Sequence, residues 1–249
     1  MFDDARAAAR QARSLRHVGH RPFPLPGSTW TLGQTWEQTL WAHWPVEASE
    51  LRARVPDELE LEEHDGSAWL GILFFRVRAL RARGALPVPG ISSFLQLNVR
   101  TYVRGPDGLP GVWFFSIDVS SRLAAVGVRR IYHVPAYHAS MTLDPVRGWQ
   151  EAECVRLGEP GRVFSGRYRA TGEPRHADPG SLEWFLTERY RLFTTDGRAE
   201  MHHDRWLLSA AEAEIELASI APVALAGPPQ CHFAFRQDAL IWPPEPVRA

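Results

Sequence analysis

Gln96-Leu97-Asn98-Val99-Arg100-Thr101-Tyr102-Val103 alternates without a fault. Leu97, Val99, Thr101 and Val103 point one way and Gln96, Asn98, Arg100 and Tyr102 the other, which is the two-residue period of a strand. The turn-forming run Gly105 to Gly111 leads into a second, apolar strand, Val112–Val119, with Asp118 near its end. Ser120 or Ser121 can then cap a helix running to about Tyr132, before Pro135. The polar row Asn98, Arg100, Tyr102 has two readings. On a surface strand it is the wet side; in a sheet closed into a barrel it lines the interior, where Arg100 can clamp an anion or carbonyl. Asp118 is the natural carboxylate partner of Arg100, or else of Arg129 or Arg130; a buried pair that only holds the sheet together is the alternative.

Working outward, Asp3 to His17 reads as a surface helix with Arg6, Arg10, Arg13 and Arg16 along one face. Asp3 and Asp4 and the lack of a following apolar run argue against a targeting peptide. Residues 20–27 form a proline-rich extended segment, Trp30 to Trp44 an aromatic strand, and Glu47 to Val55 a short helix stopped by Pro56. Trp69 to Leu80 is β-rich. Asp178-Pro179 is a good helix start. Ten Trp and 20 Pro suit a rigid, loop-rich β protein better than a helical bundle. With no repeat and no linker, the expectation is one domain over 1–249, residues 1–19 being an N-terminal helical extension.

Tyr190–Thr195, Asp196-Gly197 and Arg198–His203 read as a hairpin with a two-residue type I′ loop. That register sets Leu192 opposite Met201, Tyr190 opposite His203 and Arg191 opposite His202. His202 and His203 then point to opposite faces and cannot ligate one ion together. His203 is the inward histidine. It is a hydrogen-bonded core residue or a pocket acid, base or substrate contact, and His43 is the one other histidine placed to join it. Glu183 sits at the positive end of its helix, and Arg189 is placed to reach inward at the helix–strand junction.

A formal net charge of -1 gives no support to a nucleic-acid or membrane-surface partner. No apolar run approaches the roughly 20 residues of a membrane span, and the default location is the cytoplasm. Cys154 and Cys231 stand alone and read as buried thiols. No zinc-protease spacing, nucleotide-binding glycine loop or serine-hydrolase elbow occurs, so neither metal nor cofactor is expected.

Several segments together resemble the YqjF-like family of uncharacterised proteins in the acetoacetate decarboxylase-like superfamily. They are His20-Arg21-Pro22-Phe23-Pro24-Leu25-Pro26, Ala42-His43-Trp44-Pro45-Val46, Leu97 to Val103, Gly111 to Ser116, and Pro179 to Tyr190 continuing to His202, His203 and Trp206. The chain departs from the family at Arg205, where a proline is expected. The resemblance implies an α+β, mainly β fold: an antiparallel β-barrel with flanking helices and an interior pocket, and by analogy a homo-oligomer. It also implies a reactive lysine after a helix, in the stretch comparable to Arg129–His138. The sequence contains no lysine; all 28 basic residues are arginine, and Ala136 or Tyr137 stands where the amine belongs. A guanidinium cannot replace it as a Schiff-base nucleophile.

Three readings of function follow. In the first, the chain is an enzyme for a small carbonyl or carboxylate compound, with lyase- or hydrolase-like acid–base chemistry. Arg100 holds the anion, His203 or Tyr190 donates a proton, Asp118 orients, and Asn98, Tyr102, Arg130, Tyr137 and Arg189 contact the ligand. In the second the same pocket only binds, and in the third aromatic side chains fill the barrel completely.

Overall fold

The alternating run is the middle of an eleven-residue strand buried on both faces, and both neighbouring strands share that double burial. The computed structural model describes residues 2–246. In chain order the elements are α1 (Phe2–Arg13), a 3-10 turn at Ser14–Arg16, β1 (Leu32–Val46), α2 (Ala48–Arg52), β2 (Glu60–Leu61), β3 (Glu63–His64), β4 (Ser67–Ala82), β5 (Phe94–Arg104), β6 (Pro110–Val119) and α3 (Arg122–Tyr132). They continue with β7 (Ala136–Val146), β8 (Trp149–Arg156), β9 (Val163–Ala170), α4 (Leu182–Thr187), β10 (Arg191–Thr194), β11 (Gly197–His203), β12 (Ser209–Leu217) and β13 (Gln230–Ile241).

The pairings close on themselves. From β13 the path runs through β1, β4, β5 and β6, then returns either through β10 and β11 or through β7, β8, β9 and β12. The wall β1-β4-β5 is therefore common to two cores. Leu73, Phe75 and Val77 of β4 face a first cluster with Trp41, Phe114 and Trp206, whereas Leu70, Ile72 and Phe74 face a second with Leu97, Val99, Phe164 and Tyr168. The sheet is mixed rather than purely antiparallel, because β6 pairs in parallel with both β7 and β10. Parallel neighbours need crossovers, and α3 supplies the one between β6 and β7.

Two of the three register shifts in the wall bear on the site. Register shifts between Glu37 and Leu40, where Gln38 takes a φ of 56°, and the freed Gln38 carbonyl accepts the Tyr168 hydroxyl at 2.7 Å. The bulge carries Trp36 and Trp41 to the same side despite their odd spacing. A second shift falls opposite Val99/Arg100: Arg100 pairs with Phe114 but Val99 with Ser116.

α1 packs on the outside of the wall through a polar contact. Buried Gln11 donates to Thr35 Oγ1 and to the Ala79 carbonyl and accepts from Arg81 Nε at 2.7 Å. Ser121 caps α3. α4 begins at Leu182 behind the cap Ser181, not at Asp178-Pro179, because Gly180 adopts a φ of 86° and breaks the turn. Among the described residues no helix is long and apolar enough to cross a membrane.

The hairpin forms with a different register. Arg191 pairs with Glu200 and Leu192 with Ala199, so the loop is Thr195-Asp196. Gly197 does not take the positive φ of a type I′ turn. A Cβ there would overlap the Glu245 carbonyl oxygen, so the glycine instead admits the C-terminal segment that bridges Arg198. The slip is two residues, which exchanges partners but leaves every side chain on its expected face.

Candidate functional site

An open cavity of about 330 Å³ lies within the first cluster, walled by β1, β4, β5, β6, β10, β11 and α3. Gln96, Asn98 and Arg100 of β5 line it, so the polar row faces inward as the barrel reading required. Opposite them on the same face stand Ile117 and Phe114. Trp36, Trp41 and Trp206 form an aromatic side: Trp36 stacks on Trp206 with centroids 5.8 Å apart, and Trp41 meets Trp206 edge-on at 4.7 Å.

Arg100 is 6% exposed and has no carboxylate partner among the described residues. One of its nitrogens donates to the Leu186 carbonyl at 2.9 Å, and its guanidinium lies 5.0 Å from the Trp41 ring centroid and 5.4 Å from that of Tyr102. Its Nε has no partner, nor have Trp41 Nε1, Trp206 Nε1 and Thr39 Oγ1 on the neighbouring cavity-lining residues. Buried donors without acceptors are uncommon, since such groups are normally satisfied.

Arg189 also lines the cavity, but its charge is matched by buried Glu62, which additionally pairs with Arg104 at 2.7 Å. Burial lowers the Arg189 pKa, with Glu62 opposing. His203 lines the cavity beside Trp206, and burial depresses its pKa to about 4, outweighing the carbonyls of Asp204 and Arg189 near its two ring nitrogens. It is therefore neutral near pH 7. Tyr190 stacks on His203 at 4.6 Å, but its hydroxyl turns to Glu188, and burial and that carboxylate raise its pKa. Glu188 in turn accepts the Trp206 backbone N–H at 3.0 Å. Tyr102 lies under Arg100, its hydroxyl donating to Leu186 O at 2.8 Å with His43 Nε2 at 2.7 Å.

The other expected members lie elsewhere. Asp118 sits across from Leu97, on the face opposite Arg100, and accepts a bidentate pair from Arg156 at 2.8 and 3.0 Å. Tyr137 covers that guanidinium at 3.7 Å from its ring centroid and does not line the cavity. Arg130 is exposed on α3. Arg100 and His203 thus line one cavity, and Asp118 lies outside it. Ala136, one of the two positions for the missing amine, is buried in the cluster around the cavity. The sequence assigns no role to Trp36, Trp41, Trp206, Thr39 or Glu62; the density of Trp is a signal for the three tryptophans, and nothing marks Thr39 or Glu62. Among the described residues no group of three or more His, Cys, Asp or Glu side chains could hold a metal ion.

Comparison with known proteins places this architecture. DUF2071, described as an uncharacterized conserved protein, matches residues 33–238. The chain belongs to the DUF2071 family. Within the family's reach, the uncharacterized protein YqjF of Bacillus subtilis (strain 168) is 40% identical over 227 residues, covering 88% of this chain and 93% of YqjF. The solved structures similar to this DUF2071 chain have the acetoacetate decarboxylase-like fold. Acetoacetate decarboxylase from Legionella pneumophila matches with a TM-score of 0.61 at 12% identity, covering 92% of this chain and 93% of that one. An acetoacetate decarboxylase-like enzyme from Sphingomonas wittichii RW1 gives 0.62 at 16% identity over 93% and 100% of the two chains. The enduracididine biosynthesis enzyme MppR, complexed with pyruvate, gives 0.63 at 12% identity over 93% and 98%. At these identities the likeness establishes the fold alone.

Proposed function

We propose that the chain binds a small carboxylate compound in this cavity, with the carboxylate on Arg100 and the organic part against the Trp and Phe walls. The observation that carries the reading is Arg100, buried, lining an open cavity and without a carboxylate partner among the described residues. An uncompensated buried cation costs several kcal/mol, and a ligand carboxylate would supply the missing charge. The pyruvate held by MppR, a protein of the same fold, is in keeping with a keto acid.

Binding is better supported than conversion. The chain has no lysine, Asp118 is turned to Arg156, and His203 is the one group of the expected acid–base set that lines the cavity and titrates. The test is a thermal-shift series of keto acids with the parent and Arg100→Ala. Saturation at a hundred times Kd stabilises by about 2.7 kcal/mol, or roughly 5–10 °C in a chain this size. The parent should rise with ligand concentration and the variant should not. No shift for any acid would sink the proposal.

A further inference from the structure

The cavity changes character along its depth. Arg100 is almost fully buried, whereas Leu123, Ile131 and Ile91 line the same cavity while being 70%, 52% and 50% exposed. Residues that touch both the cavity and solvent mark its mouth. That mouth is built from α3 and the loop before β5, and the apolar surface continues outside it to Val126 of α3. A polar ligand gains nothing from such a rim, and large apolar side chains left in water are unfavourable unless something covers them. α3 also leaves room: Gly127 lines the cavity, and a Cβ there would meet no atom within 4 Å. A cavity of about 330 Å³ is far larger than a pyruvate-sized acid needs.

Resting on the carboxylate reading above, we infer that the ligand is an amphipathic monocarboxylate, its head at Arg100 and an unbranched or aryl hydrocarbon tail leaving past α3. The head is fixed by one cation and the tail is recognised by apolar area alone. Affinity then rises by about fourfold for each methylene buried, until the tail passes the mouth. Gly127 is the position that keeps the tail's path open.

The test is a calorimetric titration of straight-chain carboxylates from propionate to decanoate, below their micelle concentrations, together with the neutral alcohol of each length. Parent, Arg100→Met and Gly127→Leu are compared. Gly127→Leu adds volume at the wall without touching Arg100, and leucine suits a helix better than glycine, so the variant should fold. The expected result is affinity climbing severalfold per methylene in the parent, alcohols at least tenfold weaker than the matching acids, and Gly127→Leu losing the long acids while keeping the short ones. Acids that bind equally at every length would overturn the tail inference and leave the carboxylate reading standing. The same follows if long acids bind Gly127→Leu as they do the parent. Failure of every acid to bind, or alcohols binding as tightly as acids, would overturn both.

Discussion

Replacing Asp118 by Asn should unfold the protein more easily and leave ligand binding alone. Asp118 is fully buried and holds Arg156 through two hydrogen bonds, while Ser116 donates to it at 3.0 Å. The amide keeps the volume and removes the charge, so Arg156, whose side chain is 7% exposed, remains as a buried cation without its main partner. Burial opposes that charge, and the hydrogen bond and attraction of Asp118 more than offset it, holding the Arg156 pKa above its ordinary value. Breaking one side of a buried pair typically costs about 3–5 kcal/mol. Glu159 at 3.5 Å and the Tyr137 face remain as partial partners, which puts the loss near the lower end. For a chain of this size that is a Tm fall of roughly 6–12 °C. Urea denaturation measures the loss, and calorimetry with a carboxylate ligand checks the site. If Asp118→Asn kept its stability but lost binding, the carboxylate would belong to the site and the assignment made here would be wrong.

Arg100→Met should behave in the opposite way. Leu186 O keeps its bond from Tyr102, so the variant should be at least as stable as the parent in urea while losing carboxylate affinity. Stability should also fall with acid. Burial sets the folded pKa of His202 and of His203 at about 4, below the unfolded value of about 6.5, so the unfolded state binds more protons between those limits. Stability contributed at pH 7 is then lost as pH falls from about 6.5 to 4, by about 3 kcal/mol for His203 alone. Urea midpoints across that range should show it, with a shallower slope in His203→Asn; a flat profile would contradict the burial of these rings. Gly197→Ala should cost about 1–3 kcal/mol by forcing the C-terminal segment off β11, measurable as a lower Tm; an unchanged Tm would restore the turn role for that glycine.

The sequence was read most accurately where a periodic signal repeats. Residues 96–103 form a strand with the expected faces, Ser121 caps α3, and Tyr190 and His203 share a face although the hairpin register moved by two. Asp118 does not partner Arg100: simple alternation on β6 would group it with Phe114, but the bulge opposite Val99/Arg100 resets that count. Nothing local in the sequence marks such a bulge. Its partner, Arg156, lies 38 residues away at the end of β8, a separation that no local pattern spans. Tyr137 follows Asp118 for the same reason, since it sits beside it in the parallel pairing of β6 and β7. The cavity itself depends on β4 having two buried faces, which a run of apolar residues cannot divide between two cores.

The proposed site sets Arg100 in an apolar cavity open to an anion. A crystal structure grown with a bromine-bearing alkanoate tests it most directly, because anomalous scattering locates the tail independently of the carboxylate density. The carboxylate is expected within hydrogen-bond distance of Arg100 and the bromine toward the mouth at Leu123 and Ile131. A carboxylate seated elsewhere, away from the Arg100 guanidinium, would contradict it.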